Sequence, residues 1–188
     1  MPRIPALPDD THDPEARAVM EEVRQAWGMP WNIIRGMAHN PEVVRGFLAL
    51  HSAIGNSGLS PEDREVICME MAVRNGCHYC VPAHRFVTAH ETGLDGVDKE
   101  MIQQISRGET LAGEGRPARL QHLVRRLAET RGALSDGEFE DALNHGFDRA
   151  QLIAVVAEIA HCTLTNTFNR LADTELDAML KPYRDGFP

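Results

Sequence analysis

Apolar residues recur along most of this chain at intervals of three and four, the spacing that gathers them on one face of an α-helix. Short polar breaks with capping residues separate these stretches. Asp13-Pro14 opens the first, with an acidic N-cap and proline at the first helical position, and Gly28 closes it after EARAVMEEVRQAW. Residues 29–39 carry no period and read as irregular. Asn40-Pro41 repeats the cap signal before EVVRGFLALHSAIG. Ser60-Pro61-Glu62-Asp63 starts another helix, with Asp63 as a variant of the capping-box acid. Its body, REVICMEMAVR, is apolar nearly all round, which predicts a place at the centre of the domain. Asn75-Gly76 ends it. Pro82 has no N–H and fits only the first turn or so of a helix, so the next one starts within a residue or two of Cys77 to Cys80; Thr92-Gly93 should end it.

Four more helical stretches follow: DKEMIQQISRG, PARLQHLVRRLAETRG, DGEFEDALNHG with Ser135 as its cap, and DRAQLIAVVAEIAHCTLTNTFNRLA. The last is the most apolar and is expected to pack against the helix over 61–75. No run alternates convincingly with period two. The expectation is an all-α, single-domain protein of about eight helices over residues 13–188. A proline-rich extended arm, residues 1–12, precedes it and could lie on a partner subunit.

Composition agrees: 188 residues, 43% hydrophobic and 25% charged, describe a globular chain with an adequate core. Aromatics are only 5%, which favours helix over strand. A formal charge of −9 counts against nucleic acid and against anionic membrane surfaces as main partners. No apolar run approaches a spanning helix and the first twenty residues lack a signal-like apolar core, so a cytoplasmic location is expected.

The chemistry concentrates at RNGCHYCVPAH, residues 74–84. Residues three or four apart on a helix share a face, so Cys77 and Cys80 point the same way, as do Cys80 and His84. In mid-helix such a cysteine pair falls slightly short of disulfide distance, whereas at a first turn a small adjustment closes the gap. A helix N-terminus also favours a thiolate. If the 61–75 and 78–92 helices form a hairpin turning at Asn75-Gly76, Glu65 (eleven residues before Gly76) and His84 (eight after) lie at similar heights. Glu65 would then meet His84 directly or through a water, and burial would raise its pKa into a range useful for proton relay. The inferred chain is Glu65, His84, Cys80, Cys77.

Other readings stand beside this one. Metal ligation by the cysteine pair would have to recruit Cys68 or Cys162, which otherwise read as small core residues. Glu65 could be a first-turn acid favoured by the helix dipole. Glu70 is a rival acid, pointing well away from the Glu65 direction. Tyr79 either hydrogen-bonds the site or packs. His161, near Asn166 and Asn169, could line the pocket or sit at a subunit contact.

Glu65, then Cys77-His78-Tyr79-Cys80 and His84, make E-x11-C-x-x-C-x3-H. This pattern resembles the alkylhydroperoxidase D (AhpD) branch of the carboxymuconolactone decarboxylase family, over a redox core of about residues 40–92. TNTFNRLADTELD is more weakly similar to the family's Asn-rich ending. The resemblance implies an AhpD-like helical bundle assembled as a dimer, trimer or hexamer, and thiol-dependent reduction of hydroperoxides. It implies Cys80 as the peroxidatic and Cys77 as the resolving cysteine, Glu65 and His84 as the relay, and a lipoyl protein or thioredoxin-like reductant. No organic cofactor or metal is needed in such a cycle. Tyr79 stands where some members have histidine. The alternatives are a decarboxylase-type lyase of the same family, whose true members generally lack the CxxC pair, and a non-enzymatic helical redox sensor.

Overall fold

A computed structural model describes residues 1–90 and 96–184, and its described elements are helices. In chain order they are α1 (Pro14–Trp27), α2 (Asn32–Met37), α3 (Pro41–Gly55), α4 (Pro61–Arg74), α5 (Cys80–His90), α6 (Lys99–Ser106), α7 (Arg116–Thr130), α8 (Asp136–Asn144) and α9 (Arg149–Ala172). A 3-10 turn, Ala178–Tyr183, follows. The expected end of α5 at Thr92-Gly93 lies outside the described residues. No described helix is long and apolar enough to cross a membrane.

The caps form as the local sequence dictates. Asp13 accepts from the N–H groups of Glu15 and Ala16. Ser60 and Asp63 make a reciprocal capping box, as do Ser135 with Glu138 and Asp148 with Gln151. α4 is the hub: it packs on α5, α6, α7 and α9. Nine of its residues are buried, three of them acids, and each acid has a partner. Arg116 grips Asp63 through two nitrogens, His84 meets Glu65, and Arg125 grips Glu70 at 2.7 and 3.1 Å. Gln121 adds a 2.8 Å bond to Glu70. Glu70 is thus a strut between α4 and α7 and takes no part in the cysteine site. Glu70→Ala strands part of the Arg125 charge, and urea unfolding should show a loss of about 3 kcal/mol with the fold unchanged.

One expectation needs correction. Residues 29–39 are not irregular: α2 forms there. Its N-cap, Trp31, has no capping side chain, and the carboxylate of Asp177 accepts from the Asn32 N–H instead, at 3.2 Å. That cap comes from 145 residues away, so no local signal announces the helix. The N-terminal arm lies along its own chain. The Arg3 and Ile4 N–H groups donate to Ala172 O at the end of α9, and the Leu7 N–H donates to Arg35 O in α2. Gly36 makes room for this layer, because a Cβ there would stand 2.9 Å from the Phe168 ring.

The core has two parts. A small cluster joins α1, α2 and α3 through Val19, Met20, Val23, Ile34, Val44 and Phe47. The main core surrounds α4, with Ile67 and Met69 among its most completely buried side chains, and includes all four cysteines.

Candidate active site

The turn between α4 and α5 sets the geometry. Gly76 adopts φ +60°, a left-handed conformation that suits glycine. The Cys77 N–H reaches back to Ala72 O at 2.9 Å, closing the end of α4. Cys77 then stands just before α5 and acts as its cap: its Sγ accepts from the Cys80 N–H at 3.1 Å and its carbonyl accepts from the Val81 N–H. Cys77 and Cys80 are joined as a disulfide, with Cα atoms 5.3 Å apart. The pair closes because Cys77 lies outside the regular helix, where the backbone is free to adjust.

Glu65 and His84 come together across the hairpin. His84 Nδ1 donates to Glu65 Oε2 at 2.9 Å, and their side chains are 26% and 10% exposed. Thr88 donates to the His84 carbonyl at 2.7 Å and approaches the same Glu65 oxygen at 3.5 Å. Burial opposes charge on the imidazole, but the Glu65 carboxylate outweighs it and raises the His84 pKa to about 9. At neutral pH the His84 ring is therefore protonated.

Asn169 from α9 completes the sulfur environment, its Nδ2 donating to Cys80 Sγ at 3.3 Å. The sequence placed Asn169 only in a loose polar cluster, because its contact with Cys80 depends on how α9 rests on α5. Tyr79 turns away: it is 1% exposed and its hydroxyl donates to Asp177 at 2.5 Å, fastening the CxxC turn to the C-terminal segment. Tyr79→Phe should therefore cost about 1–2 kcal/mol in thermal unfolding while leaving thiol reactivity near the wild-type level, as measured by peroxide-driven disulfide formation.

His161 is brought to a different group. Its ring stacks on Phe47 at 4.6 Å between centroids, and Nδ1 lies 3.2 Å from Glu158. Glu158 is fully buried, and its other oxygen accepts from Arg64 Nε at 2.8 Å. Burial alone would raise the Glu158 pKa, but His161 and Arg64 overcome it and hold the carboxyl at about 2. Cys68 and Cys162 face each other across α4 and α9 with sulfurs 3.3 Å apart. The two helices were expected to pack, but a meeting of these thiols needs a register that no local pattern encodes.

The description "Carboxymuconolactone decarboxylase family" belongs to the family model that matches residues 41–85, which span α3, α4 and the start of α5. No curated protein is significantly similar to the chain in sequence. Among solved structures, an uncharacterized peroxidase-related protein from Ralstonia eutropha JMP134, described as an alkylhydroperoxidase AhpD core, is 22% identical. It superposes with a TM-score of 0.74 over 95% of this chain and 94% of its own. An uncharacterized peroxidase-related protein from Silicibacter sp. TM1040 is 21% identical, with a TM-score of 0.75 over 98% and 96%. The debrominase Bmp8 is 20% identical, with a TM-score of 0.73 over 98% and 97%. The chain thus matches the carboxymuconolactone decarboxylase family model over the cysteine-bearing hairpin and shares its fold, along nearly its whole length, with an alkylhydroperoxidase AhpD core.

Proposed function

We propose that this protein is a thiol-dependent peroxidase of AhpD type, reducing hydroperoxides through Cys80 and Cys77 with Glu65 and His84 as its proton relay. The observation that carries this reading is the joined cysteine pair at the mouth of α5, with a charged His84–Glu65 pair one turn further along the helix. In the reduced enzyme the Cys80 thiolate attacks the distal oxygen of the peroxide, and the O–O bond breaks. Nδ1 of His84 is engaged by Glu65, so Nε2 gives its proton to the departing alkoxide, which leaves as an alcohol. The Cys77 thiolate then attacks the Cys80 sulfenic acid. Hydroxide departs with a proton as water, and the disulfide forms.

Reduction follows from the unequal placing of the two sulfurs. Cys80 is 4% exposed and Cys77 fully buried, so a donor thiolate attacks Cys80. Cys77 leaves as a thiolate stabilised by the Cys80 N–H and the start of α5. The donor's second thiol releases Cys80. The donor is a dithiol, either a lipoyl group or a thioredoxin-like protein, and the setting is the cytoplasm.

The direct experiment measures hydroperoxide consumption with lipoamide and then with thioredoxin as reductant. Turnover with either supports the reading. Turnover of a carboxylated lactone that persists after the thiols are blocked would replace it with the lyase. Reversible oxidation without turnover would leave a sensor. Because one structural neighbour, the debrominase Bmp8, is solved with 2,3,4-tribromopyrrole in a cysteine-to-alanine form, peroxide and haloaromatic substrates are best compared side by side.

The protein also acts as a homo-oligomer on this reading. α9 exposes Ile153 (72%), Val156 (54%), Leu164 and Leu171 (59%) on one stripe, which a second copy would cover. Ile153→Asp should lower the mass measured by light scattering and leave the helical content unchanged.

A further inference from the structure

We propose that Cys68, Glu158 and Cys162, with His161 beside them, form a binding site for a borderline divalent cation such as zinc, tying α4 to α9. The proposal is independent of the redox pair. Three donors from two distant segments converge with their ligand atoms all within 4.8 Å of one another. Bonds of roughly 2.0–2.3 Å to N, O and S make tetrahedral edges of about 3.3–3.8 Å. The spacings here are 3.3 Å between the two sulfurs and 3.5 Å from Cys68 Sγ to Glu158 Oε1. His161 Nδ1 lies 3.2 Å from that same oxygen. Cys68, Glu158 and Cys162 thus have the spacing of three ligands of one coordination shell, and His161 stands beside the shared carboxylate as the fourth.

The surroundings fit this use. Arg64 holds Glu158 Oε2 and leaves Oε1 turned toward the sulfurs, the kind of outer contact that orients a metal-binding carboxylate. His161 is 7% exposed, yet neither ring nitrogen makes a hydrogen bond among the described residues. Beyond the Nδ1 ion pair with Glu158 the ring has no polar partner there, and turning one nitrogen onto a cation would satisfy it. Thiolate and imidazole together select zinc over magnesium or calcium.

Charge and protons balance. Each thiol loses one proton to solvent, and the two sulfurs, one carboxylate oxygen and one ring nitrogen each donate an electron pair to the cation. The resulting group carries one net negative charge, which the Arg64 guanidinium offsets. No redox change occurs. The rival chemistry, a disulfide between Cys68 and Cys162, would require the sulfurs to close from 3.3 Å to about 2.05 Å and an oxidant to take two electrons.

The test uses the full chain, reduced and freed of metal, titrated with zinc and separately with cobalt(II). One equivalent of zinc should bind, and bound cobalt should show the near-ultraviolet charge-transfer absorption of two thiolate ligands. The Cys77→Ser/Cys80→Ser double variant should keep that equivalent. Cys162→Ser and Cys68→Ser should each weaken binding at least about a hundredfold, with circular dichroism checking that they fold. Failure of the reduced wild type to bind zinc overturns the proposal. So does a cobalt complex without thiolate bands, which needs no variant to read. Binding lost in the double variant but kept in Cys162→Ser would assign the metal to the redox cysteines and equally overturn it.

Discussion

Cys80→Ser should lower hydroperoxide turnover at least about a thousandfold, to the rate of the donor thiol alone. The substitution removes the sulfur that attacks the peroxide, and serine at neutral pH has no comparable anion. It keeps the size of the residue, and Asn169 can donate to the new hydroxyl as it does to Cys80 Sγ, so the fold should change little. Cys77→Ser should behave differently. The sulfenic acid would still form on Cys80 once per subunit and could be trapped by a dicarbonyl reagent, but with no resolving partner steady turnover would stop. Stopped-flow peroxide consumption with lipoamide or thioredoxin, combined with mass spectrometry of the trapped adduct, separates the two variants. Full activity in Cys80→Ser would sink the assignment. A sulfenic acid found on Cys77 instead would exchange the two roles, and the capping of Cys77 Sγ by the Cys80 N–H gives that exchange a physical route.

Glu65→Gln should have the next largest effect, about a hundredfold on turnover near pH 8. Glu65 is what lifts His84 from its ordinary 6.5 to about 9 against the pull of burial. Without that carboxylate the imidazole loses its proton below neutrality, and the departing alkoxide has no acid beside it. The wild-type rate should fall as pH rises through about 9, and in Glu65→Gln that limb should move below 7. Stability follows with the same sign. A folded pKa above the unfolded one means the pair contributes fully below about 6.5 and is lost as pH rises through about 9. The oxidised wild type should therefore lose ~2 kcal/mol between those values, a slope that Glu65→Gln lacks. The other groups facing His84 are Cys162 and Glu158 on α9, with His51 on α3 close enough to feel its charge. An NMR titration of the His84 ring in both proteins assigns the slope. An unmoved pH limb in Glu65→Gln would remove Glu65 from the relay and leave it a structural acid.

These effects trace to a part of the molecule that local sequence rules reach well. Along one helical hairpin, height is simple arithmetic on rise per residue. The Asn75-Gly76 turn therefore suffices to bring residue 65 level with residue 84, and Pro82 places the cysteines at the start of α5. The caps of α1, α3, α4, α8 and α9 are equally local, each lying within three residues of what it satisfies.

Contacts between segments far apart in the chain were not legible in that way. The Asp177 cap on α2, the turning of the Tyr79 hydroxyl toward that same acid, the Asn169 contact to Cys80 and the meeting of Cys68 with Cys162 all join residues about 90 to 145 positions apart. By itself the sequence determined every helix but α2, most of their ends, and the acid–imidazole–dithiol order along one hairpin, because backbone hydrogen bonding and helical rise act over a few residues. Only the tertiary structure decided which face of α9 meets α4 and α5. That choice follows from how buried side chains such as Ile67, Met69 and Val155 fill the space between helices, and a slip of one turn there would separate Asn169 from Cys80 and Cys162 from Cys68.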